Sequence, residues 1–366
     1  MNKHSNQHFN IHSITKKLFF ISFFIFSTHA SAAPYTPKSG DTVIASWRTK
    51  DLPPIQKQNQ SEANAISLSI NLLSRAKEPG QSSLYSQAQT VLAPWVNDNS
   101  DNPQLWLTWA RVQQHKHLFN DAKIALEKTL NFDPSNVNAY LLLARIHIIQ
   151  QNYTLATQAC KKVFRHGDIA TGTVCSLNAA SYQGKLEQSY ITLKQLLEKQ
   201  PFVDHRRLWA GLILADMASR QELWSVSEQW LDNNVDNNDV SSLIEWSDIK
   251  LKLGKPEQVM LRLSTLPTTN IVLEDALLLR LALAEKKLNK NASRPWKESI
   301  KKRVALREQR NDIYHASDIT TYYLDIEPNA QKALLWAKIN WEQAKENKDR
   351  LLLKRAQIAF NKVGGQ

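Results

Sequence analysis

The chain has 366 residues, a formal net charge of +12, 42% hydrophobic residues and only nine glycines. So few glycines, with 8% aromatics, argue against folds built on tight hairpins or phosphate-cradling loops, and the apolar content is ordinary for a globular protein. The charge is uneven, so its sign says little about partners until it is localised.

The first segment differs from the rest. Lys16 and Lys17 precede LFFISFFIF, in which eight of nine side chains are apolar, and STHASA follows. Basic residues, a short apolar core and the small pair Ala30 and Ala32 predict a secretory signal peptide over residues 1–32. Cleavage is expected after Ala32, because cutting one residue later places Pro34 directly after the scissile bond. An uncleaved anchor is the alternative, but the apolar run is well short of the roughly 20 residues that span a bilayer. No cysteine near the cleavage site suggests a lipoprotein. The mature protein is therefore expected outside the cytoplasm, in the periplasm of a Gram-negative source. Residues 33–60 carry four prolines and no sustained period, which predicts an extended or disordered tether. Within it, TVIASW could form a short strand or a docking segment.

From about Ser61 the sequence turns periodic. After a degenerate leading pair ending near Val96, the stretch from Pro103 to Asn136 sets a pattern: Trp106, Trp109, Ala110, Phe119, Ala122 and Pro134. Restarting the count at Val137 refills the slots with Tyr140, Leu143, Ala144, Tyr153, Ala156, Cys160 and Val163. A period of 34 residues means a solenoid of helical hairpins. Apolar residues three and four apart form one buried stripe per helix. Alanines let the paired helices approach, and Asp133-Pro134 stops the second helix. A third unit from Ala170 to Asp204 keeps Gly184, Leu186, Leu193, Leu196 and Pro201 but has Ser189 in an alanine slot. A fifth shows Trp246, Gly254, Val259 and Leu263, and a seventh runs from DITTYYLDIEP to LLWAKINWEQA. Units four and six fit loosely, and LLLKRAQIAF serves as a closing helix.

Slot by slot, the best units resemble the tetratricopeptide repeat (TPR). That resemblance implies an all-α, right-handed α-solenoid over residues 61–362, with best units 103–136, 137–169 and 170–204. The combination of VLAPWV, ACKKV…TVCSL, LLLRLALAE and ALLWAKINWEQA…LLLKRA also resembles an uncharacterised family of exported proteobacterial TPR proteins. Neither resemblance implies an activity, since repeat scaffolds host many partners.

Cys160 and Cys175 are the only cysteines, and export puts them where disulfides persist. Reflecting the second helix of unit two onto the first helix of unit three through the turn near Asp168 brings them to nearly the same level. A disulfide is expected; two buried thiols behaving as small hydrophobes are the alternative. No Cys-x-x-Cys spacing points to redox work.

Catalytic signatures are absent: there is no Gly-x-Ser-x-Gly, His-Glu-x-x-His, Walker loop or Gly-x-Gly-x-x-Gly. His115 and His117 form a His-x-His at a turn and read as solvated turn histidines, so no metal and no cofactor are expected. His147, His166, His205 and His315 have no partners near them in sequence. Without Lys3, Lys16 and Lys17 the charge is +9, and residues 286–310 alone carry ten basic residues against Glu298 and Glu308. Pro295 opens a helix there. Trp296, Ile300 and Val304 form its buried stripe, and Lys297, Lys301, Lys302, Arg303, Arg307 and Arg310 occupy its other faces. The patch reads either as a solvated face or as a site for an acidic protein or an anionic membrane surface. Nucleic acid is not expected, because an exported protein rarely meets it.

Function is therefore expected on the concave face, lined by the first helix of each unit. The groove-facing places are Gln104, Leu107, Thr108, Arg111, Gln114 and His115 in unit one. In unit two they are Asn138, Leu141, Leu142, Arg145, Ile148 and Ile149. Unit three contributes Thr171, Val174, Cys175, Asn178, Ser181 and Tyr182. Arg111 and Arg145 fall 34 residues apart and stack side by side, and a planar guanidinium grips carboxylates. Two solvated or internally paired arginines are the alternative. The carboxylate clamp of TPR chaperones is not implied, because Leu107, Arg111 and Leu142 stand where it needs lysine and asparagines. The sequence thus points to a non-enzymatic adaptor for a protein or peptide partner, with envelope attachment through the basic helix as the alternative.

Overall fold

A computed structural model describes residues 61–199, 204–233, 239–266, 273–288 and 295–364. The expected signal peptide and tether (residues 1–60) lie outside the described residues, as do residues 289–294 of the basic run. Among the described residues there are seventeen helices and no strand. In chain order they are α1 (Glu62–Arg75), α2 (Ser83–Asn97), α3 (Pro103–His115), α4 (Phe119–Phe132), α5 (Val137–Ile149), α6 (Tyr153–His166), α7 (Ile169–Ser181), α8 (Leu186–Lys199) and α9 (Asp204–Arg220). These are followed by α10 (Trp224–Asp232), α11 (Val240–Lys252), α12 (Pro256–Ser264), α13 (Asp275–Lys287), α14 (Pro295–Gln309), α15 (Ala316–Asp325), α16 (Ala330–Gln343) and α17 (Asn347–Gly364). Consecutive helices pack in pairs, α1 with α2 through α15 with α16, and α17 closes the array against α15 and α16. The fold is an all-α, TPR-like solenoid.

Local chemistry sets each hairpin. First helices start at a polar cap: the side chains of Asn102, Asn136, Asp168 and Asp239 accept from backbone N–H groups at the starts of α3, α5, α7 and α11. They end in a repeated Schellman turn, where a left-handed residue lets the chain reverse. His117, Gln151, Gly184, Glu222 and Gly254 hold that conformation, with φ between 57° and 78°. The next N–H then reaches back five residues: Leu118 to Gln113 O, Asn152 to His147 O, Lys185 to Ala180 O, Leu223 to Ala218 O and Lys255 to Lys250 O. This turn feeds straight into the second helix, which explains why α4, α6, α10 and α12 have no side-chain cap.

Packing follows the small residues. Ala110, Ala122, Ala156 and Ala179 are fully buried, and Ser189, 2% exposed, fills the alanine slot of its unit without opening a void. Gly172 is required for space: a Cβ there would meet the Phe164 ring at 2.6 Å. The loosely matching units fold as hairpins too, because Ala210, Leu214, Met217 and Ala218 in α9 and Leu277, Leu281 and Ala284 in α13 supply buried stripes with other residues. Cys160 on α6 and Cys175 on α7 form a disulfide with Cα atoms 5.4 Å apart, as their levels on the two helices led one to expect. Closing a loop of this length stabilises the fold by about 3 kcal/mol in the chain-entropy account.

The array also turns back on itself. Val240 N–H donates to Lys77 O at 2.8 Å, and Gly80 N–H reaches both carboxylate oxygens of Glu274 at 2.8 and 2.9 Å. Farther along, Lys345 N–H donates to Ile149 O at 2.9 Å, and Gln151 Nε2 donates to Lys345 O at 2.6 Å. Ala344 joins the buried cluster of Trp106, Leu107 and Ile149. Early units thereby touch late ones, and the concave face becomes enclosed.

Candidate partner-binding groove

The first helices lie side by side, α3 on α5 on α7 on α9, and α11 on α13 on α15. Their facing surface is charged. Arg280 on α13 is only 11% exposed and bridges Asp248 on α11 at 2.9 Å and Asp318 on α15 at 2.6 Å. On α9, Arg220 binds Asp216 at 2.9 Å, donates to Ser181 Oγ and stacks over the Tyr182 ring, whose hydroxyl donates to Asp216 at 3.0 Å.

Arg145 and Glu245 differ from these. Both keep solvent contact although protein surrounds them, and among the described residues neither has a hydrogen-bonded or ion-paired partner. Enclosure works against the Arg145 cation, but Glu346 and Glu245 more than offset it, so its pKa is raised. Enclosure pushes the Glu245 carboxyl up to about 7, with Asp216 and Glu346 adding and Lys348 and Arg145 opposing. Arg111 is half-buried, also without a hydrogen bond or ion pair among the described residues, and enclosure alone lowers its pKa.

The chain's own α16–α17 connection fills part of this groove. Glu346 holds Lys348 Nζ at 3.2 Å, and Asp349, bonded to Asn340 Nδ2 and Glu346 N–H, pins the start of α17. Enclosure alone raises a carboxyl, yet Lys348, Arg145 and His117 bring Glu346 below its ordinary value.

This occupancy corrects part of the sequence reading. Leu107 is 1% exposed and belongs to the core beneath Ala344, and Ile148 and Ile149 are buried as well. Ala344 of the returning chain shares the cluster of Leu107 and Ile149, whereas Ile148 packs among Ala144, Ala156, Cys160 and Cys175. Leu141, Leu142, Gln104 and Asn178 remain partly exposed, and Asn138 is exposed. Tyr182 is engaged with Asp216, Arg220 and the stacked ring of Tyr153.

The turn histidines need a second correction. His115 stacks on Tyr85 with ring centroids 3.2 Å apart, and His117 meets His315 edge-on at 5.2 Å. They are enclosed, not solvated, because His315 comes from the far end of the array. Enclosure first, then His315 and His117, pushes His115 down to about 3, and enclosure with His315 and Lys348 pushes His117 down to about 4. Among the described residues no group of three histidine, cysteine or acidic side chains is placed to hold a metal.

The basic helix disperses into ion pairs. Arg303 and Arg307 both approach Asp275, at 3.7 and 2.5 Å, and Arg307 also binds Asp312. Lys301 pairs with Glu327 at 3.0 Å. Lys297, Lys302 and Arg310 have no ion pair among the described residues, so the patch of six reduces to three separate cations. Sequence reasoning missed a buried cluster on α10 and α11: Lys250, 5% exposed, lies between Glu228 at 2.6 Å and Asp232 at 2.9 Å, with Lys255 also on Glu228. Nothing in the spacing announces it, because the partners come from helices joined through a long connection.

No family model matches the chain, and no curated protein matches it. Among solved structures it is similar to Pseudomonas aeruginosa PilF, at 14% identity and TM-score 0.37 over 58% of this chain and 95% of that one. Human IFIT1, solved as a dimer with PPP-AAAA, is 10% identical with TM-score 0.48 over 83% of this chain and 72% of its own. The TPR domain of P58(IPK) is 12% identical with TM-score 0.26 over 83% and 99%. These likenesses are too distant to carry an argument about function. Among the described residues no helix is long and apolar enough to cross a membrane.

Proposed function

We propose that this chain is an exported, non-catalytic scaffold that holds an extended acidic segment of a protein partner in its concave groove. The observation that carries this reading is the pair Arg111 and Arg145, two guanidiniums at equivalent places on α3 and α5, neither hydrogen-bonded to an acid among the described residues. Side chains that fold alone requires are paired, as Arg280 and Arg220 are. A carboxylate with planar, two-point geometry suits a guanidinium that no acid of the chain holds by a hydrogen bond. The leader supports export, and the Cys160–Cys175 bridge suits an oxidising compartment such as the periplasm.

The test is capture of envelope proteins by the mature chain and by an Arg111→Ala/Arg145→Ala double mutant. Loss of capture with an unchanged helical spectrum supports the reading, and undiminished capture overturns it. Envelope attachment through α14 is the competing reading. It rests on Lys297, Lys302 and Arg310 alone and predicts binding to anionic vesicles that falls steeply as salt rises.

A further inference from the structure

The far end of α17 carries large apolar side chains in the open. Ile358 is 46% exposed, Phe360 39% and Val363 60%. Asn340 Nδ2 on α16 bonds Asp349 on α17 at 2.8 Å, and counting the antiparallel pair from that bond sets Ala330, the first residue of α16, level with Ala359. The last turn of α17 therefore runs past α16. It outruns α15 as well, which ends at Asp325 with Arg355 held at 2.8 Å. Side chains on a helix turn by about 100° per residue, so Ile358 leaves from nearly the opposite side to Phe360 and Val363.

The exposed charge of α17 has one sign. Lys348, Arg350, Lys354, Arg355 and Lys362 are exposed, and its one acid, Asp349, is buried against Asn340 and the Glu346 N–H. Lys348 has Glu346 and Arg355 has Asp325, whereas Arg350, Lys354 and Lys362 have no ion pair among the described residues. Leu324, Ile358 and Ala359 line an open hollow of about 300 Å³ together with Arg355 and Lys362. Apolar surface beside two cations suits an anionic headgroup and the start of its acyl chain, because long basic side chains lay their stems on apolar surface and keep their charged ends at the polar level.

We infer that the end of α17 is an interfacial anchor that docks the array on an anionic membrane surface. Ile358, Phe360 and Val363 enter the boundary between headgroups and acyl chains, and Lys354, Arg355 and Lys362 meet lipid phosphates. A second copy fits poorly, since α17 against α17 sets cation against cation. A protein groove reads apolar side chains along one face of a helix, and here they leave from opposite sides, which a fluid interface accepts. The helix lies on the membrane and does not cross it, in keeping with the lack of any spanning helix among the described residues. On α14, by contrast, no large apolar side chain is exposed among the described residues. Arg111 and Arg145 take no part.

The experiment is co-sedimentation of the full mature chain with vesicles, either equimolar phosphatidylglycerol and phosphatidylcholine or phosphatidylcholine alone. The anionic vesicles should retain the chain and slow hydrogen exchange most at residues 354–363, and the neutral ones should do neither. Ile358→Ser with Val363→Ser changes only exposed side chains, so the helical spectrum should hold while binding falls at least about tenfold. Lys354→Gln with Lys362→Gln should weaken binding about fivefold for each lysine removed. Lys297→Gln with Lys302→Gln and Arg310→Gln, on α14 and just beyond it, should bind as wild type does. No retention on either vesicle, equal retention on both, or undiminished binding by the Ile358→Ser/Val363→Ser variant overturns the inference. Loss confined to the α14 variant also overturns it and assigns attachment to that helix. Exchange at residues 354–363 that slows with chain concentration in the absence of lipid overturns it in favour of a second copy.

Discussion

Lys345, between α16 and α17, and Ile149, the last residue of α5, are joined by one backbone hydrogen bond of 2.9 Å. That bond, with its companion from Gln151, converts an open concave face into an enclosed one. It also places Glu346 in the field of Arg145. Gln151→Ala is expected to destabilise the chain by about 1 kcal/mol, the usual worth of one such bond. The effect should be local: hydrogen exchange should accelerate at residues 344–350 and stay unchanged in α9 and α10. Uniform acceleration along the chain would mean that the clasp is integral to global stability.

Stability should fall in mild acid. His115 and His117 titrate at about 3 and about 4 when folded, against about 6.5 when free, so the folded state binds fewer protons. Their contribution is complete above the free value and is lost as pH falls from about 6.5 through the folded values. At pH 5 the loss is on the order of 2 kcal/mol per histidine. The groups facing them are Tyr85 on α2, His315 and Asp318 at the start of α15, and Glu346 and Lys348 after α16. Glu245 works in the opposite direction, since its raised pKa stabilises the fold at low pH and that effect is lost as pH rises through about 7. Its solvent contact makes it the smaller influence. Urea midpoints at pH 7.5 and pH 5 measure the net effect, and His117→Gln should flatten the difference.

Reduction should weaken the second and third hairpins. Breaking Cys160–Cys175 removes a tether between α6 and α7 and costs about 3 kcal/mol. A melt with and without reductant should shift, and thiol titration of the denatured, unreduced mature chain should find no free cysteine. Two free thiols would rule out the bridge.

The repeated turns make a backbone prediction. Glu222 and Gly184 occupy the same left-handed place in their hairpins, at φ 60° and 78°. A side chain there costs about 1 kcal/mol, so Glu222→Gly should raise the melting temperature slightly. Gly184→Ala should lower it although no atom lies within 4 Å of the added Cβ. The two shifts should have opposite signs.

The sequence alone determined the repeat. Its 34-residue spacing of aromatics, alanines and Asp-Pro is local information, read within one helix and its immediate neighbour, and local contacts dominate a solenoid. The Cys160–Cys175 bridge was legible for the same reason, since it joins adjacent helices across one short turn. Helical periodicity likewise puts Arg111 and Arg145 at equivalent places on α3 and α5. Tertiary structure alone decided what those residues meet. Small rotations from unit to unit accumulate until the array closes on itself, and no short-range pattern encodes their sum. Only that closure buries Leu107, encloses His115 and His117 beside His315, and lays Glu346 in the groove. The basic helix was misread on the same ground: Arg303 and Arg307 find Asp275 on the partner helix α13, through a pairing that one-helix arithmetic does not contain.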